Sequence, residues 1–323
     1  MTGHDSAIVV RGAAVPHRAA SGWWWGLLGV AAFSFTVPFT RVAVGGLEPL
    51  FIGAGRAVIA ASLAIAVLGL ARQRRPQGRQ WVRAAVVGGG VVVGFPLLTT
   101  FALVTVPASH GAVVIAVLPA ATAVAVVLRT GERPPRSFWI AAGLGALAAT
   151  GFAGVQSGGL TELHWADLLL FGAVLACAVG YAEGGLLARE LGAWQTICWA
   201  LVVCAPLMTV LTAVAVHQQP PRAAPTEWLS FAYLGVVSMF LGFFAWYRGL
   251  GMGPMAQVSQ VQLVQPVMTI TWAGLILGEQ ISAATVLGGL AVIACAASAV
   301  RSRVAQPSPS AARRTTIRVH APR

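Results

Sequence analysis

The side chains that could do chemistry lie inside apolar runs, and the chemistry they offer is hydrogen bonding to a solute. Gln257, Ser259, Gln260, Gln262 and Gln265 fall within nine residues of one apolar stretch. At ~100° per residue they spread around most of a helix and form no single stripe. An amide facing lipid is costly, so these groups must meet neighbouring helices or a ligand. Gln262 and Gln265 lie deepest and rank first as solute contacts, ahead of Gln257 and Gln260. Trp272 follows one to two turns further out as an apolar or cation–π wall. Arg56 stands about seven residues into another apolar run, where an ionised side chain marks a functional site by default. Its plainer role is a salt bridge to Glu48 or a cap on neighbouring carbonyls. Tyr181 and Glu183 share a third run. Glu183 reads either as a proton carrier or as the structural partner of Arg189 or Arg248. His110 reads as a solvated histidine at the membrane interface or as a proton relay. Pro119 and Pro266 sit mid-run, where each removes a backbone donor and acts as a packing kink or as a hinge.

Bond-making chemistry is missing by comparison. The chain carries no GxSxG elbow, no phosphate-binding GxxxxGK[ST] loop, no HExxH and no closely spaced pair of in-membrane carboxylates. Cys177, Cys198, Cys204 and Cys295 all fall in apolar stretches without ligand spacing and read as small core residues. No metal and no cofactor is expected. All 21 basic residues are arginine, so a lysine Schiff base is excluded. An intramembrane enzyme or lipid-handling protein is the alternative function class, and this lack of a catalytic constellation counts against it.

The elements that hold these residues follow from composition. The chain is 57% hydrophobic and only 9% charged, with a mean hydropathy of +0.79. A soluble domain carries roughly 25% charged residues, so this is an integral membrane protein. Ten apolar segments are expected, at roughly 23–42, 49–71, 82–104, 109–129, 138–156, 166–187, 194–216, 228–248, 254–277 and 282–300. In a bilayer each must be helical, because every backbone group needs an internal partner. One stretch is written twice: Pro107 to Glu132 and Pro254 to Glu279 share 8 of 26 positions without gaps. In both, two prolines stand 12 residues apart and a Gly-Glu pair begins 12 residues after the second. An odd number of spans per copy inverts the second copy relative to the first.

Charge orients the chain. With the N-terminus inside, 18 arginines fall on inner segments, only Arg222 on an outer loop, and Arg41 and Arg56 within spans. That asymmetry is the positive-inside pattern, so the net charge of +12 reports membrane orientation and no nucleic-acid partner. The expected organisation is a cytoplasmic tail (1–21), a first repeat (22–157), a second, inverted repeat (165–300) and a basic cytoplasmic tail (301–323). The fold class is thus all-α, with ten transmembrane helices as two inverted five-helix repeats. The partners are the lipid bilayer, a small solute and protons as coupling ion, for a monomer or homodimer in the inner membrane.

The stretch from Leu263 to Ala296, LVQPVMTITWAGLILGEQISAATVLGGLAVIACA, is very similar to the closing motif of the EamA family in the drug/metabolite transporter superfamily. Arg56 to Leu63 is similar to that family's arginine-containing second helix. Thr130-Gly131-Glu132 is a reduced form of its Leu-Gly-Glu. The resemblance covers about residues 23–300. It implies a gradient-driven inner-membrane exporter of amino acids or other small metabolites. The first span has no acid, unlike the glutamate-bearing first helix of the small multidrug resistance relatives, which argues against export of cationic drugs.

Overall fold

The computed structural model describes residues 17–131, 135–156, 164–252 and 260–304. Every regular element among them is helical. The chain is a multi-pass membrane protein. Seven described stretches are long and apolar enough to cross a bilayer: Gly22–Ala43, Pro49–Leu70, Arg79–Ala102, Ala108–Thr130, Trp165–Leu191, Ala193–Gln218 and Pro225–Gly249. Val261–Leu277 and Ala283–Ser298 are apolar but shorter.

The helices are α1 (His17–Ser34), α2 (Thr36–Ala43), α3 (Pro49–Leu70), α4 (Arg79–Gly88), α5 (Phe95–Ala102), α6 (Ala108–Ile115), α7 (Leu118–Thr130), α8 (Arg136–Gln156), α9 (Trp165–Leu191), α10 (Ala193–Gln218), α11 (Pro225–Tyr233), α12 (Gly242–Met252), α13 (Gln265–Leu277) and α14 (Ala283–Val304). Many of the boundaries are interruptions within one pass, and proline chemistry explains several. Pro38 has no N–H to give the carbonyl of Ser34, and α1 gives way to α2 at Phe35. Pro119 and Pro266 each occupy the first turn of a fresh helix, α7 and α13. Both of those helices end on a left-handed glycine, Gly131 at φ 70° and Gly278 at φ 65°, where a Cβ would be strained. The two copies of the repeated stretch therefore share their local geometry where both are described. Two passes also carry π-helical turns, Gly89–Gly94 between α4 and α5 and Leu234–Leu241 between α11 and α12.

Packing relies on small residues, as it must where lipid removes the hydrophobic drive for helix association. A side chain at Gly90 would run into the Ala176 carbonyl and come within 2.8 Å of Gly180. That close approach sets α9 across the first π-turn. α1 and α12 cross in the same manner, since a Cβ on Gly249 would lie 2.6 Å from the Gly26 nitrogen. The other extensive pairings are α3 with α10, α8 with α14, and α9 with both α5 and α7. Arg41 donates to the carbonyls of Leu103 (2.8 Å) and Val104 (2.9 Å) and closes the end of α5.

Candidate functional site

Where α7 and α13 begin, their prolines open a cavity. It is lined by Val37, Ala112, Ile115, Leu118, Pro119, Gln262, Gln265, Pro266 and Thr269, around a narrow void of about 10 Å³. A second, larger chamber, of about 30 Å³, shares Val37, Leu118 and Gln265 with the first. Arg56, Tyr181, Cys177, Thr36 and Ser238 complete its polar wall, with Phe33, Phe95 and Phe243 among the apolar residues. Gln265 thus stands between the two chambers. Its Oε1 and the Nε2 of Gln262 are buried and have no hydrogen-bond partner. A buried polar atom without a partner is costly, and here two of them belong to one cavity wall.

Arg56 is 1% exposed. Its Nε and Nη2 have no partner, and no carboxylate reaches it among the described residues. The salt bridge to Glu48 does not form, because Glu48 instead caps α3 by accepting from the Phe51 N–H at 2.7 Å. Across the larger chamber, Thr36 and Ser238 share a hydrogen bond of 2.7 Å, linking α2 to the second π-turn.

The carbonyl of Ser34, freed by Pro38, accepts from Thr269 Oγ1 at 2.9 Å. Ser34 Oγ accepts from Trp272 Nε1 at 3.0 Å, and the indole stacks on Phe35 with centroids 4.6 Å apart. Trp272 therefore belongs to an aromatic cluster with Phe35, Phe39 and Tyr233. It lines neither chamber.

Ionisable side chains pair at the two ends of the bundle. At one end Glu183 of α9 pairs with Arg83 of α4 and, at 2.7 Å, with Arg129 of α7; Arg83 also holds Glu190. The expected partners Arg189 and Arg248 do not take this place: Arg248 lies over the Trp25 ring at 4.7 Å. At the opposite end His110 is buried, 4% exposed, with its Nε2 2.6 Å from Asp167 Oδ1 and its ring against Phe152. It is not a solvated interface residue. Glu279, after α13, accepts from the backbone N–H groups of Ala108 (2.7 Å) and Ser109 (2.9 Å) and so caps α6.

Of the residues singled out by sequence, the structure brings Gln262, Gln265, Pro119, Pro266, Arg56 and Tyr181 to the two chambers. It sets Trp272, His110 and Glu183 outside them. Gln257, Glu132 and the side chain of Gln260 lie outside the described residues. Sequence reasoning missed Asp167, Thr36, Ser238 and Ser34. Asp167 did carry a signal, as an acid inside an apolar run. Ser34 carried one too, four residues before a proline.

The sequence pattern of the EamA-like transporter family matches residues 20–153 and 164–300. The "Uncharacterized transporter YdeK" of Bacillus subtilis (strain 168) is 44% identical over 285 residues, 88% of this chain and 99% of that protein. The "Probable terminal-alkyne amino-acid exporter" of Streptantibioticus cattleyicolor is 27% identical over 279 residues, covering 84% of this chain and 90% of its own. One crystal structure superposes with a TM-score of 0.59 over 88% of this chain and 98% of its own; at 21% identity it shares the fold alone.

Proposed function

The chain belongs to the EamA-like transporter family, a transporter and not an enzyme, and from that premise we propose that it exports a small polar metabolite, amino acids being the default class, by alternating access between two inverted five-helix repeats. The observation that carries this reading is the pair of unpartnered amide atoms, Gln262 Nε2 and Gln265 Oε1, on a cavity wall shared with Pro119 and Pro266. A passing solute would satisfy groups that no other side chain satisfies. The amino-acid default draws support from the name of the Streptantibioticus relative.

The helix pairings fit a two-fold relation between halves. Counted as ten passes, the first packs on the eighth, the third on the sixth, the second on the seventh and the fifth on the tenth. Exchanging the halves turns the first pair into the second and leaves the other two unchanged. Both termini are proposed to be cytoplasmic, on the inner membrane, from the arginine asymmetry. For coupling, the reading names the proton, with Glu183 as its carrier. Protonating that carboxylate means releasing Arg83 and Arg129, so loading and opening of that end would be one event.

The test is counterflow in proteoliposomes loaded with a panel of amino acids and small metabolites. Flux that follows an imposed pH or solute gradient and ignores ATP is the expected result. Uptake requiring ATP and indifferent to gradients would contradict it.

A further inference from the structure

Two donors of the Arg56 guanidinium, Nε and Nη2, are buried without a partner. They are the parallel N–H pair along one edge of the guanidinium, the geometry that receives both oxygens of a carboxylate. The guanidinium stays ionised, and burying it without a counter-charge is costly in the membrane interior. The described acids are committed elsewhere or lie outside the chamber. Glu183 and Glu190 hold arginines, Asp167 holds His110, and Glu48 and Glu279 cap helices. Glu227 sits beside Gly46 at the start of α11, away from the lining. The chamber therefore offers a positive charge and no negative one. Its other polar groups are neutral: Tyr181, the Thr36–Ser238 pair and Gln265.

We propose that the larger chamber is a carboxylate site, in which Arg56 takes the solute's carboxylate on Nε and Nη2 and the solute's amino group is dispensable. This rests on the cavity being the solute pathway, as proposed above, and narrows the solute class. An ammonium group would meet only neutral acceptors (Gln265 Oε1 and the Tyr181, Thr36 and Ser238 hydroxyls) and aromatic faces, with no counter-charge, so it adds little. Carboxylates without an amine enter the class, and amines without a carboxylate leave it.

Four molecules with one carbon skeleton separate these statements: leucine, 4-methylpentanoate, leucinamide and 3-methylbutylamine. Each is titrated against the purified full chain in detergent, following thermal stability and intrinsic tryptophan fluorescence. The expected result is that both acids bind, within about tenfold of each other, since a neutral hydrogen bond is worth about one power of ten. The amide and the amine should bind about 30-fold more weakly or not at all, as a buried charge left unpaired demands. Arg56→Gln should abolish the response to acids. Arg56→Lys, which keeps the charge and loses the fork, should weaken it about tenfold and serves if the glutamine variant fails to fold. Equal binding of all four molecules, no binding of either acid, or full acid binding by Arg56→Gln overturns the carboxylate assignment. Counterflow of uncharged polar solutes in the same protein would leave the transport reading standing when the carboxylate assignment falls. Absence of flux for every solute would remove the transport reading instead.

Discussion

Gln262 and Gln265 lie one helical turn apart, yet each presents a different unsatisfied atom, a donor and an acceptor, to the same cavity. Removing one should therefore remove a solute contact without removing a helix contact. Gln265→Leu is expected to abolish substrate flux in proteoliposomes while expression and melting temperature stay near those of the unmodified chain. Loss of flux only through failure to fold would make these amides packing glue. The glutamines were legible in the sequence because an amide in an apolar run must go somewhere, and Arg56 for the same reason. What each residue meets was not legible. Glu183 finds Arg83 and Arg129, 100 and 54 residues away, and His110 finds Asp167 at a separation of 57. Local spacing favours near neighbours such as Arg189, and tertiary packing decides otherwise.

At the scale of the element, the prolines divide the work. Pro119 and Pro266 start new helices beside the cavity. Pro38 frees a carbonyl that Thr269 then takes. The equivalent threonine of the first copy, Thr122, has a buried Oγ1 with no partner, so the repeated threonine is used in one half only. Pro266→Ala restores a backbone donor and deletes no hydrogen bond to a solute. It should slow turnover several-fold and leave solute affinity within about twofold, read from counterflow rates against equilibrium binding. Glu183→Gln weakens the clamp joining α4, α7 and α9. A hydrogen bond to a charged group is worth about 1.5–3 kcal/mol when buried, and less here because the Arg129 side chain is 54% exposed. The variant should melt a few degrees lower and label faster at a cysteine introduced at Ala182. Unchanged labelling would show that this network does not hold that end shut. Seven of the ten expected segments coincide with stretches long and apolar enough to cross a bilayer, but the break at Phe35 and the two π-turns were not legible from hydropathy, which averages over a window longer than one turn.

For the whole molecule, composition alone gave the membrane class, since too few charges remain to solvate a surface of this size. The doubling of the Pro-12-Pro-12-Gly-Glu pattern pointed to two halves, and the pairing of α1 with α12 against α9 with α5 is what two related halves would give. Orientation rests on arginine placement. Cysteines introduced at 160–164 and 218–226 should react with an impermeant maleimide from outside, and a tag after Arg323 should be protected. Protection of both loops, or exposure of the tag, would sink the inverted arrangement.

The π-turns at Gly89–Gly94 and Leu234–Leu241 carry a spare residue each, because closing hydrogen bonds over five residues spends one more per turn than an α-helix does. A spare residue amounts to an insertion already absorbed. Taking one out should let the flanking α segments rejoin in phase, with α4 and α5 still presenting the same faces to α9. Deletion of Val93 is thus expected to leave a monodisperse protein by size-exclusion chromatography. Deletion of Ala60, in the unbroken α3, turns everything beyond it by ~100° and should leave none. The places where this transporter can change length without changing shape would then lie inside the membrane and not in its loops.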